Sequence, residues 1–97
     1  DMQARAWREV VVEAQRMIAA LESALLEDGE LLEDSERTAL QSRMNEVSQL
    51  ALQNEAMPIQ ELRTAFDTLG AESEEFAARR MNKAISKALS GQSIDSL

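Results

Sequence analysis

The chain has 97 residues, a formal net charge of −8, and neither cysteine nor histidine. It can therefore form no disulfide, no thiolate metal site and no histidine-based hydrolytic site. The acidic balance opposes binding to phosphate backbones or anionic lipid, so nucleic acid and membrane surfaces are not expected as partners. Helix-forming residues dominate, aromatic residues make up only 3%, and no apolar run is long enough to span a membrane. We expect a single all-α domain of a cytoplasmic protein.

An apolar stripe with three- and four-residue steps runs through the first part of the chain. It predicts a first helix over residues 2–28, which ends near Gly29 because glycine readily adopts the conformation that closes helices. The helical pattern is already under way at residue 2, so we expect the chain to be a piece of a longer protein. The stripe consists of Trp7, Val10, Val11, Ala14, Met17, Ile18, Leu21 and Leu25.

A second apolar series follows a group of acidic and capping residues. It predicts a second helix over residues 34–53, because carboxylates stabilise the positive end of the helix dipole. Glu33, Asp34 and Ser35 are all acceptable N-caps, and the sequence does not choose among them. The series is Leu40, Met44, Val47, Leu50 and Ala51.

The third helix follows a break at residues 54–57. Pro58 is a start signal, because its missing N–H has no partner in the first turn of a helix. The apolar pattern then predicts a helix over residues 58–89, either continuous or split near Gly70, where glycine lowers helix propensity. Residues 91–97 show no helical periodicity, which predicts a flexible tail.

Short connections between successive helices favour an antiparallel three-helix bundle. The first helix, at about 40 Å, exceeds the second, at about 30 Å, so we expect its end with Trp7, Val10 and Val11 to protrude. Such an apolar stripe predicts contact with a partner or another domain, and a homodimer through the first helix in isolation. The expected core anchors are Leu21, Leu25, Met44, Val47, Phe66 and Phe76.

The acidic residues around the first connection do not fit a calcium loop. If Gly29 took the invariant glycine position of an EF-hand, the ligand positions would include Ala24 and Leu26. Carboxylate pairs on solvated helix faces lack the environment that shifts a pKa, and no histidine is present to activate a serine or threonine. We therefore expect no catalytic residue, no metal and no cofactor in this chain, and no enzymatic activity.

Four basic residues near the end of the third helix have two interpretations. They can compensate the helix dipole and form salt bridges to neighbouring helices, or they can contact an acidic partner. The four are Arg79, Arg80, Lys83 and Lys87.

The most specific pattern is the sequence FAARRMN at residues 76–82, followed by ALSGQSID at residues 88–95. With EAQRMI at residues 13–18 and Glu36-Arg37 at the second helix, it resembles the C-terminal helical lid of the HscA-type chaperones. These are the iron-sulfur-cluster branch of the DnaK-type heat-shock family. The resemblance covers essentially the whole chain, with Asn82 where the family usually has aspartate.

The resemblance implies a lid that closes over a client peptide and slows its release. The peptide, from an iron-sulfur scaffold protein, would be held in a β-sandwich domain. An ATPase domain would bind ATP and respond to a J-type co-chaperone, and both domains would lie outside these 97 residues. The β-sandwich would then be the partner of the protruding first helix. The alternative is a self-standing dimerisation or adaptor module that binds a partner through Trp7, Val10 and Val11.

Overall fold

The computed structural model describes residues 2–53 and 58–95, and of 91–95 only the backbone. This part of the chain folds into three α-helices and contains no β-strand, which confirms the all-α prediction. The elements are α1 (Met2–Asp28), a 3₁₀ turn (Gly29–Leu31), α2 (Asp34–Ala51) and α3 (Ile59–Asp95).

Each helix runs antiparallel to the next. The start of α1 lies against the end of α2 and the start of α3, where Trp7 shares an apolar cluster with Leu50 and Leu62. At the opposite end of the bundle, Asp28 at the end of α1 contacts Lys83 of α3. Helices α1 and α3 are therefore parallel, with α2 antiparallel to both.

Apolar side chains from all three helices and from the first connection form the main core. Of the predicted anchors, Met44, Val47 and Phe76 are buried in it. The other three, Leu21, Leu25 and Phe66, are partly buried and pack against it. The buried members are Ala14, Ala24, Leu32, Leu40, Met44, Val47, Ala65, Leu69 and Phe76.

The first helix does not protrude at its beginning, so that prediction is wrong. Trp7 and Val10 are each only 4% exposed, and Val11 is half-buried. The cover comes from α3, because Leu62 is fully buried against this cluster and Ile59 packs beside it. The prediction rested on the lengths of α1 and α2 alone. The start of α3 supplies the contact that α2 is too short to give.

The third helix is continuous, so the structure rejects a break at Gly70. Its 37 residues run from Ile59 to Asp95, and no glycine in the described part of the chain has a positive φ. The helix does not end near residue 89, because the backbone of residues 91–95, where no helix was predicted, is helical. Residues 54–57 and 96–97, where a break and the rest of the tail were predicted, lie outside the described residues.

The element that extends beyond the bundle is the far end of α3. A 37-residue helix is about 55 Å long, and the molecule has principal extents of 62, 28 and 18 Å. Lys83 lies opposite Asp28, where α1 ends, so the turns after Lys83 continue past the other two helices. All residues from 81 to 90 are exposed.

Replacement of Gly70 by alanine should stabilise the protein. A Cβ atom there would meet the Met17 Cε at 3.6 Å, an ordinary van der Waals contact. Alanine has the higher helix propensity, so we expect the free energy of unfolding to rise by about 1 kcal/mol. Urea denaturation measures this change. The reciprocal variant Ala71→Gly, at an exposed neighbour, should lower it by a similar amount. No gain from Gly70→Ala would mean that the helix is not regular at this point.

Replacement of Phe76 by alanine should remove much of the stability. The side chain is 2% exposed and lies in the main core, so the loss should be about 3–5 kcal/mol. Thermal and urea unfolding measure it. Leu26→Ala is the control, because Leu26 is 91% exposed and should change stability by less than about 0.5 kcal/mol. Equal melting temperatures for the two variants would contradict the packing.

Candidate functional site

The part of the chain that the structure describes offers contact surfaces. Among residues 2–53 and 58–95, no group of three or more histidine, cysteine or acidic residues could hold a metal ion. None of the helices in these ranges is long and apolar enough to cross a membrane. Two features near the end of the bundle stand out, a polar junction and an apolar ridge.

The polar junction ties α3 to the start of α2. The Arg79 guanidinium donates to both carboxylate oxygens of Glu36, at 2.9 and 3.0 Å, and to the carbonyl oxygen of Leu31 at 3.0 Å. Such a bidentate pair has a defined geometry as well as a charge attraction. Glu36 also accepts a hydrogen bond from the backbone N–H of Glu33 at 2.9 Å. Glu33 is therefore the N-cap of α2 that the sequence left open.

The junction also ties α3 to the end of α1. The side chain of Asp28 is only 8% exposed and accepts hydrogen bonds from Lys83 Nζ at 2.5 Å and Arg80 Nε at 2.8 Å. These two bonds hold the pKa of the Asp28 carboxyl below its usual range, against the opposing effect of burial. Glu30, in the 3₁₀ turn, adds a weaker contact to Lys83 at 3.3 Å.

Ion pairs with neighbouring helices account for most of the basic group at the end of α3. Arg79, Arg80 and Lys83 are all engaged in the polar junction. Dipole compensation does not apply, because α3 continues to Asp95 and even Lys87 lies more than two turns before that end. Lys87 is exposed and has no ion pair within the described residues.

An apolar ridge lies on the extending end of α3. Met81, Ile85 and Leu89 follow one another at four-residue steps and are 64%, 50% and 58% exposed. At 100° per residue they lie on the side of the helix opposite Phe76 and Lys83, which face the bundle. Met81 continues the apolar pattern of the third helix, which predicts a place in the core, and its exposure shows that this prediction is wrong. The spacing of the three residues is visible in the sequence, but whether another helix covers them is not.

The chain has close relatives among known chaperones. Over all of its 97 residues it is 44% identical to the protein named chaperone protein HscA homolog of Burkholderia thailandensis. The same identity is found for the homolog of Burkholderia multivorans, and 43% for that of Burkholderia pseudomallei strain 1710b. The resemblance to the HscA-type chaperones is confirmed. The chain spans 15% of the length of these relatives, and no protein-family profile matches it.

The residues that carry the HscA resemblance have structural roles in this bundle. In the run at 76–82, Phe76 fills the core, while Arg79 and Arg80 form the polar junction. Of the earlier matching residues, Glu36 is the carboxylate that Arg79 holds. The motif that resembles HscA thus contributes to the packing of α3 on the other two helices.

The polar junction predicts a stability loss in acid. Hydrogen bonds from Arg79 and from the Glu33 N–H lower the pKa of Glu36 to about 2, whereas an unfolded glutamate titrates near ~4.3. The contribution of Glu36 is therefore complete above about pH 5 and is lost as the pH falls towards 2. Glu36→Gln should lower the melting temperature at neutral pH and flatten its decline over this interval.

Thermal unfolding as a function of pH, followed by circular dichroism, tests this prediction. The control is Glu22→Gln, at an exposed glutamate without a described ion pair, whose curve should follow that of the parent. The curves of the parent and Glu36→Gln should converge as the pH approaches 2. A constant offset at all pH values would show that Glu36 stabilises the fold by another route.

Proposed function

We propose that this chain is the C-terminal helical lid of an HscA-type chaperone. The observation that carries the proposal is the 44% identity to chaperone proteins HscA over the whole chain, without an unmatched segment. The helical bundle is compatible with this, because a lid needs a stiff body and no reactive group. The chain itself contributes no catalytic residue and no cofactor in this proposal.

In the intact chaperone, the lid covers a client peptide bound in a β-sandwich domain. The client is an iron-sulfur scaffold protein, and the complex acts in the cytoplasm during maturation of iron-sulfur proteins. ATP binds in a separate ATPase domain, where a J-type co-chaperone stimulates hydrolysis. The lid is closed with ADP and open with ATP, so its effect is on the dissociation rate of the client rather than on a chemical step.

The bundle supports this function by bracing α1. Most of the stability of a helix in a protein comes from tertiary packing, and α1 is packed along its length, from Trp7 at one end to Asp28 at the other. A braced helix moves as a rigid body. Because Trp7 and Val10 are occupied inside the bundle, contacts with the β-sandwich must use other residues.

The alternative adaptor function was based on a surface formed by Trp7, Val10 and Val11, and most of this surface is covered in the bundle. A partner or a second copy cannot reach Trp7 and Val10 while α2 and α3 cover them. An apolar surface that remains available is the ridge of Met81, Ile85 and Leu89. The lid proposal does not need that ridge, whereas an adaptor could bind its partner there.

The lid proposal predicts faster client release when this segment is removed. In the intact chaperone that contains the chain, deletion of the segment should increase the dissociation rate of a fluorescent client peptide about tenfold in ADP. This corresponds to a dissociation barrier that is lower by about 1.4 kcal/mol. Stopped-flow fluorescence measures the rate. Because the lid is open in ATP, the rate in ATP should be unchanged.

Two controls keep this test decisive. The basal ATPase rate of the truncated protein should equal that of the parent, which shows that the remaining domains are folded. The full-length Leu26→Ala variant, altered at an exposed position, should release the peptide at the parent rate. Equal dissociation rates in ADP with and without the segment would rule out a lid function.

A further inference from the structure

Three arginines lie on one exposed ridge of α1. Arg5, Arg8 and Arg16 are exposed, and Val12, which lies between them, is 44% exposed. The steps of three, four and four residues place these side chains on the side of α1 opposite Ala14, which is completely buried. We call Arg5, Arg8, Val12 and Arg16 the arginine face.

The guanidiniums of the arginine face are unpaired within the described residues, unlike those of the polar junction. None of its three guanidiniums forms an ion pair or a hydrogen bond within the described residues. Glu9 and Glu13 lie beside the face and line the same shallow depression, and neither pairs with an arginine of the face within the described residues. Four other arginines are paired with carboxylates, namely Arg37, Arg43, Arg79 and Arg80.

The chemistry of the face selects its partner. A guanidinium stays charged at all physiological pH values, and its planar set of donors matches a carboxylate. Arg5 and Arg16 are about 16 Å apart along the helix, which suits carboxylates spaced along one side of a peptide helix. The net charge of −8 opposes extended polyanions such as nucleic acid or an anionic membrane. A short acidic segment meets mainly the local charge of the face, because exposed charges more than about 10 Å away are screened by salt.

We propose that the arginine face binds an acidic segment of a partner protein. Carboxylates of that segment pair with Arg5, Arg8 and Arg16, and an apolar side chain between them packs on Val12. The absence of internal partners for the arginines carries this inference, and arginine is among the residues that most often dominate binding interfaces. The inference does not depend on the lid proposal, because the face belongs to this chain alone.

Fluorescence anisotropy of the 97-residue chain with a labelled helical peptide tests the proposal. The peptide carries three glutamates at the spacing of Arg5, Arg8 and Arg16, with a leucine opposite Val12, and a matched peptide carries glutamines instead. We expect the glutamate peptide to bind about tenfold more tightly than its match, and its affinity to fall with added salt. Each single Arg→Ala change should weaken binding about two- to fivefold, and the triple change by about tenfold or more.

Arg63→Ala provides the matched control. Arg63 is an exposed arginine of α3 that also has no ion pair within the described residues, so its loss changes the net charge equally but should leave the affinity unchanged. All these arginines are exposed, so the circular dichroism melts of the variants should match that of the parent. Amide shifts in an NMR titration should centre on residues 5–16.

Several outcomes would overturn the proposal. Equal affinity of the parent and the triple variant would show that the arginines do not take part in binding. Equal affinity of the two peptides would show that the carboxylates of the peptide do not take part either. The absence of binding to the glutamate peptide at millimolar protein would reject the surface itself. Binding of phosphatidylserine vesicles through the same arginines, without peptide binding, would assign the face to a membrane instead.

Discussion

The bundle depends on the burial of one apolar seam along α3. Leu62, Leu69 and Phe76 lie at seven-residue intervals and are 0%, 0% and 2% exposed. A seven-residue repeat keeps side chains on the same side of a helix over many turns, so that one helix can fill the space between two others. In this bundle α3 closes the clusters at both ends, and α1 and α2 depend on it for burial of their own stripes.

The polar junction begins where this seam ends. One turn after Phe76, α3 changes from apolar to basic side chains, and these meet the end of α1 and the start of α2. The Arg79–Glu36 pair of this junction is partly exposed, and such pairs contribute little free energy, so it matters more for geometry than for strength. The bidentate Arg79–Glu36 pair sets the register of α3 against α2 and so the point at which α3 leaves the bundle.

The surfaces left over after folding lie towards opposite ends and differ in chemistry. The ridge of α3 is apolar and extends past the bundle, whereas the arginine face of α1 is cationic and lies near the covered end. In a chaperone lid these would serve separate contacts, because an apolar ridge and a row of guanidiniums select different partners. The similarity to HscA indicates a chaperone family, and the exposed side chains of these two surfaces indicate where contacts can form.

Sequence reasoning determined the all-α class, the bounds of α1 and the buried anchors Met44, Val47 and Phe76. Only the tertiary structure decided that α3 is continuous and how the helices are offset. The first set follows from periodicity and turn residues, which act within about four positions along the chain. The cover of Trp7 by Leu62 and the pairing of Glu36 with Arg79 join residues far apart in sequence. Those contacts depend on the offset between helices, which no local pattern encodes. For that reason the extending element is the end of α3 and not the start of α1.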